Sequence, residues 1–381
     1  MRSRLLLPGG GAPTTSRSLA SSRMSTHLLT GFPGFIGRRL VAELLRTDPE
    51  LKIVALVESR MLAPAESAAA AIDAERIELV TGDIAAPRLG LDPETYERLA
   101  AEVTVVEHLA AIYDLAVPLE IAQKVNVDGT GNVLDFCEAC ASLERLNYVS
   151  TAYVAGTRTG VVYEHELALG QSFKNHYEST KFQAEVWVRE RMDRVPTTIY
   201  RPAIVVGDSK TGETQKFDGP YYVLRFIDSS VKRHLPVPNI GRGVVPFNVV
   251  PVDFIVDSMI ALARDERAIG ETVHLCDPSP LSAHDMFGVL CRLYADREPA
   301  YTVPAGPVAA SLRSKTLRKL FGGVPRETIG YMNHPVRYDT RQATALLAGA
   351  GLSCPGFASY APAMVEFFRS HAEDPALLGT A

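Results

Sequence analysis

Three glycines constrain what this chain can fold into more than any other feature. Thr30-Gly31-Phe32-Pro33-Gly34-Phe35-Ile36-Gly37 follows a short apolar run, His27-Leu28-Leu29, and opens a helix-length amphipathic stretch from Phe35 to Leu45. A strand, a glycine-rich turn and a helix in that order form a cradle for a dinucleotide's phosphates. Gly31 permits the tight turn, Gly34 lets the backbone approach a pyrophosphate, and Gly37 lets the helix pack closely on the strand. The N–H groups left unpaired in the first helical turn then point at the anion. Pro33 has no N–H, so Phe35 and Ile36 are the expected donors. The competing interpretation is a glycine-rich turn with no ligand.

Downstream, short apolar runs alternate with helical patterns. Ile53 to Val57, Ile77 to Val80, Val103 to Val106, Leu146 to Val149 and Thr198 to Tyr200 read as strands. Such alternation predicts an α/β fold with a doubly wound parallel sheet. Residues 25–207 with about 247–276 are expected to form the dinucleotide-binding domain. Residues 208–246 read as loops and short helices, and Phe254 to Ala263 and Thr272 to Leu275 return as a helix and a strand. Residues 208–246 with about 277–381 are expected to form a smaller, mostly helical substrate lobe. Residues 1–24 carry four arginines, no acid and many small residues. They read as a disordered tail or as sequence upstream of a start at Met24.

Composition narrows the function. Over 381 residues, 39 basic and 44 acidic side chains leave a net charge of −5, which argues against nucleic-acid binding. No run approaches the roughly 20 apolar residues needed to span a bilayer. Five scattered cysteines do not form a secreted disulfide framework, so a cytoplasmic protein is expected. The nine histidines show no metal-ligand spacing. Cys137 and Cys140 sit late in a helix, where a thiolate gains nothing from the helix terminus, and read as structural.

Two groups of residues carry chemistry. Glu58 ends the second strand, 21 residues after Gly37, close to the spacing of a ribose-binding carboxylate. Arg38 and Arg60 lie nearby and suit a 2′-phosphate. All three also fit as solvated surface charges. Asp83 and Ile84, after the third strand, are candidates for the adenine side, or simply a turn. Tyr177 and Lys181 share one helix face. A phenol is a poor base near pH 7 unless a cation lowers its pKa, and Lys181 is placed to do so. Thr151, at the end of the fifth strand, is the candidate for bonding a substrate oxygen, with Ser150 as alternative. Asn126 reads as a support for geometry beside Lys181 or as a helix cap.

Several motifs occur in one order: the glycine turn, His108-Leu109-Ala110-Ala111, Asn126-Val127-Asp128-Gly129-Thr130, Thr151, Tyr177-x-x-x-Lys181 and Tyr200-Arg201-Pro202. Together, from about residue 26 to 275, they resemble an extended short-chain dehydrogenase/reductase. The resemblance implies a Rossmann domain, a nicotinamide cofactor and a Thr151–Tyr177–Lys181 catalytic set, with Lys181 also expected to bond the nicotinamide ribose. It implies that Leu109, Ala110 and Ala111 line the cofactor, with Pro202 to Ile204 at its nicotinamide end. Longer stretches, His108 to Leu115, Tyr177 to Glu185 and Arg201 to Glu213, resemble the thioester reductase and fatty acyl-CoA reductase branch. That branch implies NADP(H) in preference to NAD(H), and a small-molecule or carrier-bound acyl substrate. Glu58 departs from it, standing where the branch usually has an arginine; Arg60 is the nearby substitute.

The expected activity is hydride transfer to a carbonyl, with the aromatic stretch from Phe217 to Phe226 facing an apolar substrate. A sugar-nucleotide epimerase or dehydratase, or a hydroxysteroid-type dehydrogenase, is the alternative. Lys216, Arg225, Lys232, Arg233 and Arg242 would then meet a pyrophosphate. A dinucleotide sensor without catalysis is the remaining reading. A homodimer is compatible with all of these. Met364, Val365 and Phe368 fall at helical spacing near the carboxyl end and are expected to pack on the lobe.

Overall fold

The structure, a computed structural model, describes residues 25–113, 117–241, 243–311, 314, 330–331 and 334–378. Residues 1–24 and Arg242, both read above, lie outside this set.

The strands β1 (Thr26–Thr30), β2 (Lys52–Val57), β3 (Ile77–Thr81), β4 (Val105–His108) and β5 (Arg145–Val149) alternate with helices. These are α1 (Phe35–Thr47), α2 (Leu62–Ile72), α3 (Pro93–Glu102), and the pair α4 (Leu119–Ala122) and α5 (Gly129–Ala139). Then come β6 (Gly160–Val162), α6 (His176–Arg189), β7 (Thr197–Pro202), β8 (Ile204–Val206), α7 (Tyr221–Lys232) and β9 (Asn239–Ile240). The chain continues through β10 (Val249–Pro251), α8 (Val252–Ala263), β11 (Thr272–Leu275), α9 (Ala283–Ala295), β12 (Thr302–Val303) and α10 (Ala305–Ser311). It ends with β13 (Val336–Tyr338), α11 (Arg341–Leu347), α12 (Phe357–His371) and α13 (Pro375–Leu378).

Seven strands form one parallel sheet in the order β11-β7-β5-β4-β1-β2-β3. Parallel strands covered on both faces read as continuous apolar runs. In β2 every residue after Lys52 is buried. Its side chains alternate between two cores: Ile53, Ala55 and Val57 pack with α1 and α8, while Val54 and Leu56 pack with α3 and α5. From β1 the chain builds outward to β2 and β3, then crosses back to β4. Ligands bind at the carboxyl ends of strands flanking such a reversal. The register sets Thr30 opposite both Leu56 and His108 there.

A separate core joins α7, α9 and α12 through Leu224, Ile227, Phe287, Leu290, Met364 and Phe368. Met364, Val365 and Phe368 are buried in it as expected. The stretch 208–246 differs from its reading, because it contains the 12-residue α7. Phe217, Tyr221 and Phe226 are buried in the lobe core rather than facing a substrate. The chain also returns late to the dinucleotide half. There β13 pairs with β6, and Val336, Tyr338, Ala343 and Leu347 join the sheet's core.

Helix α6 starts where Asn175 caps it, its side chain accepting from the Glu178 N–H at 3.0 Å. It packs hard on α5: a Cβ on Gly131 would lie 2.9 Å from Cζ3 of Trp187.

Candidate active site

A cavity of about 510 Å³ lies at the carboxyl ends of β1, β4, β5 and β7. Gly31, Gly34, Phe35, Ile36, Gly37, Leu109, Ala110, Ala111, Thr151, Tyr177, Lys181, Pro202 and Ile204 all line it. Arg38, Glu58, Arg60, Asp83, Ile84 and Asn126 lie outside its lining.

The turn is built for close approach. Gly31 has φ +92°, and a Cβ there would stand 2.9 Å from the Ala110 nitrogen; on Gly37 it would stand 2.6 Å from the Gly31 carbonyl. Gly34 donates to that same carbonyl at 2.9 Å, leaving the N–H groups of the following helical turn to the cavity. A cradle kept open by missing side chains, with helix-start donors facing it, fits a dinucleotide pyrophosphate.

The turn is tied to the rest of the site by a buried relay. Thr130 donates to the Asn126 carbonyl at 2.7 Å, so its oxygen accepts from His108 Nε2 at 3.1 Å. His108 Nδ1 then accepts from the Thr30 hydroxyl at 2.7 Å, and Thr30 accepts from the Ala110 N–H at 3.2 Å. Burial pushes the His108 pKa down to about 3, so the ring is neutral, as this pattern requires. Asn126 is neither a helix cap nor in contact with the cavity. It lies in a π-helical segment, Gln123–Asp128, between α4 and α5, a local widening common at functional sites. Its side chain accepts from the Ile112 N–H at 2.9 Å and donates to Thr180 at 3.1 Å. It thereby clamps the loop after β4 to α6.

Tyr177 and Lys181 project from the first turns of α6. Burial pushes the Tyr177 phenol up to about 12, against the lowering effect of a hydrogen bond with Thr151. Burial pushes Lys181 down to about 7, opposed by Glu185. The expected lowering of the phenol by Lys181 is therefore corrected: desolvation penalises both charged forms and dominates. Lys181 donates to the Val149 carbonyl at 2.7 Å and lies over the Tyr148 ring at 4.5 Å. Tyr113 meets Tyr177 edge-on, ring centroids 5.1 Å apart.

The structure separates the two candidate hydroxyls, although both line the cavity. Ser150 donates to buried Glu185 at 2.6 Å. Glu185 also takes both ends of the Arg201 fork, at 3.0 and 2.6 Å, and Arg189 at 3.0 Å. Burial works to raise the Glu185 pKa, and Arg201, Arg189 and Ser150 together more than offset it. Ser150 is thus held by a buried ion network, while Thr151 faces Tyr177. Sequence reasoning gives Arg201, 1% exposed, no role beyond its place in a motif. The available signal is an arginine inside an apolar strand, which demands a buried partner.

The charges expected to meet the cofactor's ribose end are held in local contacts. Arg38 bonds Glu213 at 2.6 Å and Arg60 bonds Glu58 at 2.6 Å. Asp83 closes a turn onto the Ala85 N–H at 2.8 Å, and Ile84 is buried, its carbonyl accepting from Asn132 at 2.7 Å. Among the described lobe bases Lys216 alone lines the cavity; Lys232 pairs with Asp228 and Glu373, and Arg225 and Arg233 lie elsewhere on α7 and its end. The lining also includes Tyr113, Thr214, Gln215, Asp218 and Ala376, which sequence reasoning missed, because they follow no motif and meet the site only through the fold.

Cys137 and Cys140 are free thiols raised by burial, as a structural role requires. Among the described residues no cluster of three metal-ligating side chains occurs, and no helix is long and apolar enough to cross a membrane.

The family model described as male sterility protein, an NAD-binding family, matches residues 29–259. The non-canonical nonribosomal peptide synthetase cpsA of Aspergillus campestris is 29% identical over 273 residues, covering 65% of this chain and 25% of that protein. Fatty acyl-CoA reductase wat of Drosophila melanogaster is 26% identical over 283 residues, covering 62% of this chain and 53% of that one. The chain thus spans about half or less of these two curated relatives' length. The solved terminal R domain from the myxalamid PKS-NRPS biosynthetic pathway superposes with a TM-score of 0.78 at 26% identity, covering 94% of this chain and 93% of that one. The chain belongs to the male sterility protein family, whose members are NAD(P)-dependent reductases with the extended short-chain dehydrogenase/reductase fold.

Proposed function

We propose that this chain reduces an acyl thioester, carried on coenzyme A or on a carrier protein, to the aldehyde. The observation that carries the reading is one cavity shared by the glycine cradle, Thr151, Tyr177 and Lys181. Likeness to a fatty acyl-CoA reductase supports the substrate class. Residues 25–207 with 247–276 would hold the dinucleotide, and 208–246 with 277–381 would receive the acyl group, apart from the late return at β13 and α11.

A bound reduced nicotinamide supplies the hydride. Gly31, Gly34, Phe35, Ile36 and Gly37 would hold the pyrophosphate, and Leu109, Ala110, Ala111, Pro202 and Ile204 would line the rest of the dinucleotide. Thr151 donates to the substrate carbonyl oxygen, and Tyr177 gives its proton as negative charge develops there. The raised phenol pKa suits this direction, since reduction needs the protonated form. Lys181, whose ammonium bonds the Val149 carbonyl at 2.7 Å, would also bond the nicotinamide ribose. The tetrahedral product is a hemithioacetal. Its C–S bond breaks as the carbonyl re-forms, and the hydroxyl proton leaves with the thiol. One hydride and one proton are consumed per aldehyde formed. Asn126 is a positioning residue, acting through Ile112 and Thr180.

NADP(H) is the preferred dinucleotide in this reading. Arg60 is 72% exposed and bonded only locally to Glu58, so it is free to swing to a 2′-phosphate. The test offers NADH and NADPH in turn with acyl-CoAs of medium and long chain, aldehydes and ketones, with Tyr177→Phe as control. Thioester-dependent oxidation of the dinucleotide, lost in the variant by about 10²–10⁴-fold, is expected. Turnover with ketones and none with any acyl thioester overturns the substrate class.

A further inference from the structure

The phosphate-binding end of the cavity has an unusual charge arrangement. Arg38 and Arg39 sit in the opening turns of α1, next to the cradle, yet neither is free. Glu213 pairs with Arg38 at 2.6 Å and with Arg39 at 3.1 Å, and Asp208 takes Arg39 at 3.2 Å. These pairs strap the segment 208–216 across the start of the helix. Ser209 fastens its base to Asp253 through two hydrogen bonds, at 2.9 and 2.5 Å. At its far end the Phe217 N–H donates to the Leu377 carbonyl at 2.7 Å. The strap then contributes Thr214, Gln215 and Lys216 to the cavity wall facing Gly31, Gly34 and Gly37.

Among the described residues two cations line this cavity, Lys181 and Lys216. The first is spoken for: its ammonium bonds the Val149 carbonyl beneath the catalytic end. Lys216 is exposed, and among the described residues its ammonium has neither a hydrogen bond nor a salt-bridge partner within 4.0 Å. The one carboxylate on the same stretch of wall is Asp218, whose charge is felt across that distance: burial raises its pKa and Lys216 opposes the rise. A dinucleotide or a coenzyme A thioester brings two or more phosphate charges into a site beside whose cradle Arg38 and Arg39 are already paired with carboxylates.

We propose that Lys216 is an anion-binding residue of this cavity, its ammonium taking a phosphate of the ligand seated there. The proposal rests on the reading of the cavity as a dinucleotide and acyl-thioester site. Its phosphate belongs either to the dinucleotide or to the acyl carrier, and the experiment separates the two. Dissociation constants of NADPH, NADH and coenzyme A are measured by calorimetry on the full chain and on Lys216→Ala and Lys216→Arg, at low and high salt. Pantetheine, which lacks phosphate, is the control.

Loss of about fivefold to tenfold in Lys216→Ala at low salt is expected, shrinking at high salt and restored in Lys216→Arg. Loss for both dinucleotides assigns the contact to the cofactor; loss for coenzyme A alone assigns it to the carrier. Unchanged constants in all three ligands overturn the proposal. So does an equal, salt-independent loss that extends to pantetheine, which would mark a structural role. Failure of the unaltered chain to bind any dinucleotide would instead strike the underlying reading of the cavity.

Discussion

The two ends of the cavity are made of different material. The glycine end is backbone: a positive-φ turn, a helix start and missing side chains. The catalytic end is buried side-chain charge: Lys181, Glu185 and Arg201, each at most 2% exposed. A backbone site binds through dipoles whose strength does not vary with pH near neutrality. A charge-built site works only while its ions are matched, because an uncompensated buried charge costs several kcal/mol. The first end is therefore sensitive to added atoms and the second to lost ones.

The sharpest break of this contrast is Arg201→Met. It leaves Glu185 with a diminished set of partners, so a loss of about 3–5 kcal/mol of stability is expected, read in urea unfolding. An unfolding midpoint like that of the parent would show that the network is not needed. Gly31→Ala strikes the other end, adding a Cβ against the Ala110 nitrogen at φ +92°. About 1–3 kcal/mol of strain, with NADPH binding weakened at every pH from 6 to 9, is the outcome to look for by titration.

The pair of hydroxyls gives an effect of the same size as the glycine. Thr151→Val is expected to lower kcat by about 10- to 100-fold while the fold holds. Ser150→Ala should mainly lower the melting temperature, since Ser150 serves Glu185. The reverse pattern would reassign the catalytic hydroxyl.

The charge-built end also carries a pH dependence. In the unfolded chain Lys181 loses its proton near 10.5; in the folded chain it does so near 7. Between those values the unfolded state holds more protons, so stability rises with pH across that window. Below about pH 7 the full penalty of burying the ammonium applies. Lys181→Met should therefore gain most in melting temperature at pH 6 and lose that advantage toward pH 10. A gain that grows with pH would reverse the sign and sink the burial account.

The backbone end is the more legible of the two in the sequence. Gly31, Gly34 and Gly37 announce their purpose by spacing, and the apolar run Thr272 to Leu275 matches β11 to the residue. Local rules suffice there, because period-2 burial and turn chemistry act over a few neighbours. Tyr177 and Lys181 are legible as a spaced pair, but their protonation is not. The phenol's upward shift comes from a whole surround that closes only in three dimensions. Arg201 and Glu185 are 16 residues apart, and the strap from Asp208 to Lys216 reaches α1 across 169 to 175 positions. No local pattern encodes such distances. The lobe misleads for a related reason: Phe217, Tyr221 and Phe226 look like a greasy mouth in one dimension and prove to be a packed interior.

The close fit of Trp187 against Gly131 has a practical consequence. This is the chain's one tryptophan, and it rides on the same helix as Tyr177 and Lys181. Its emission falls where a reduced nicotinamide absorbs. The molecule thus carries its own optical gauge: a seated dinucleotide would dim the indole by energy transfer, and any slide of that helix would shift its colour, without a label being attached.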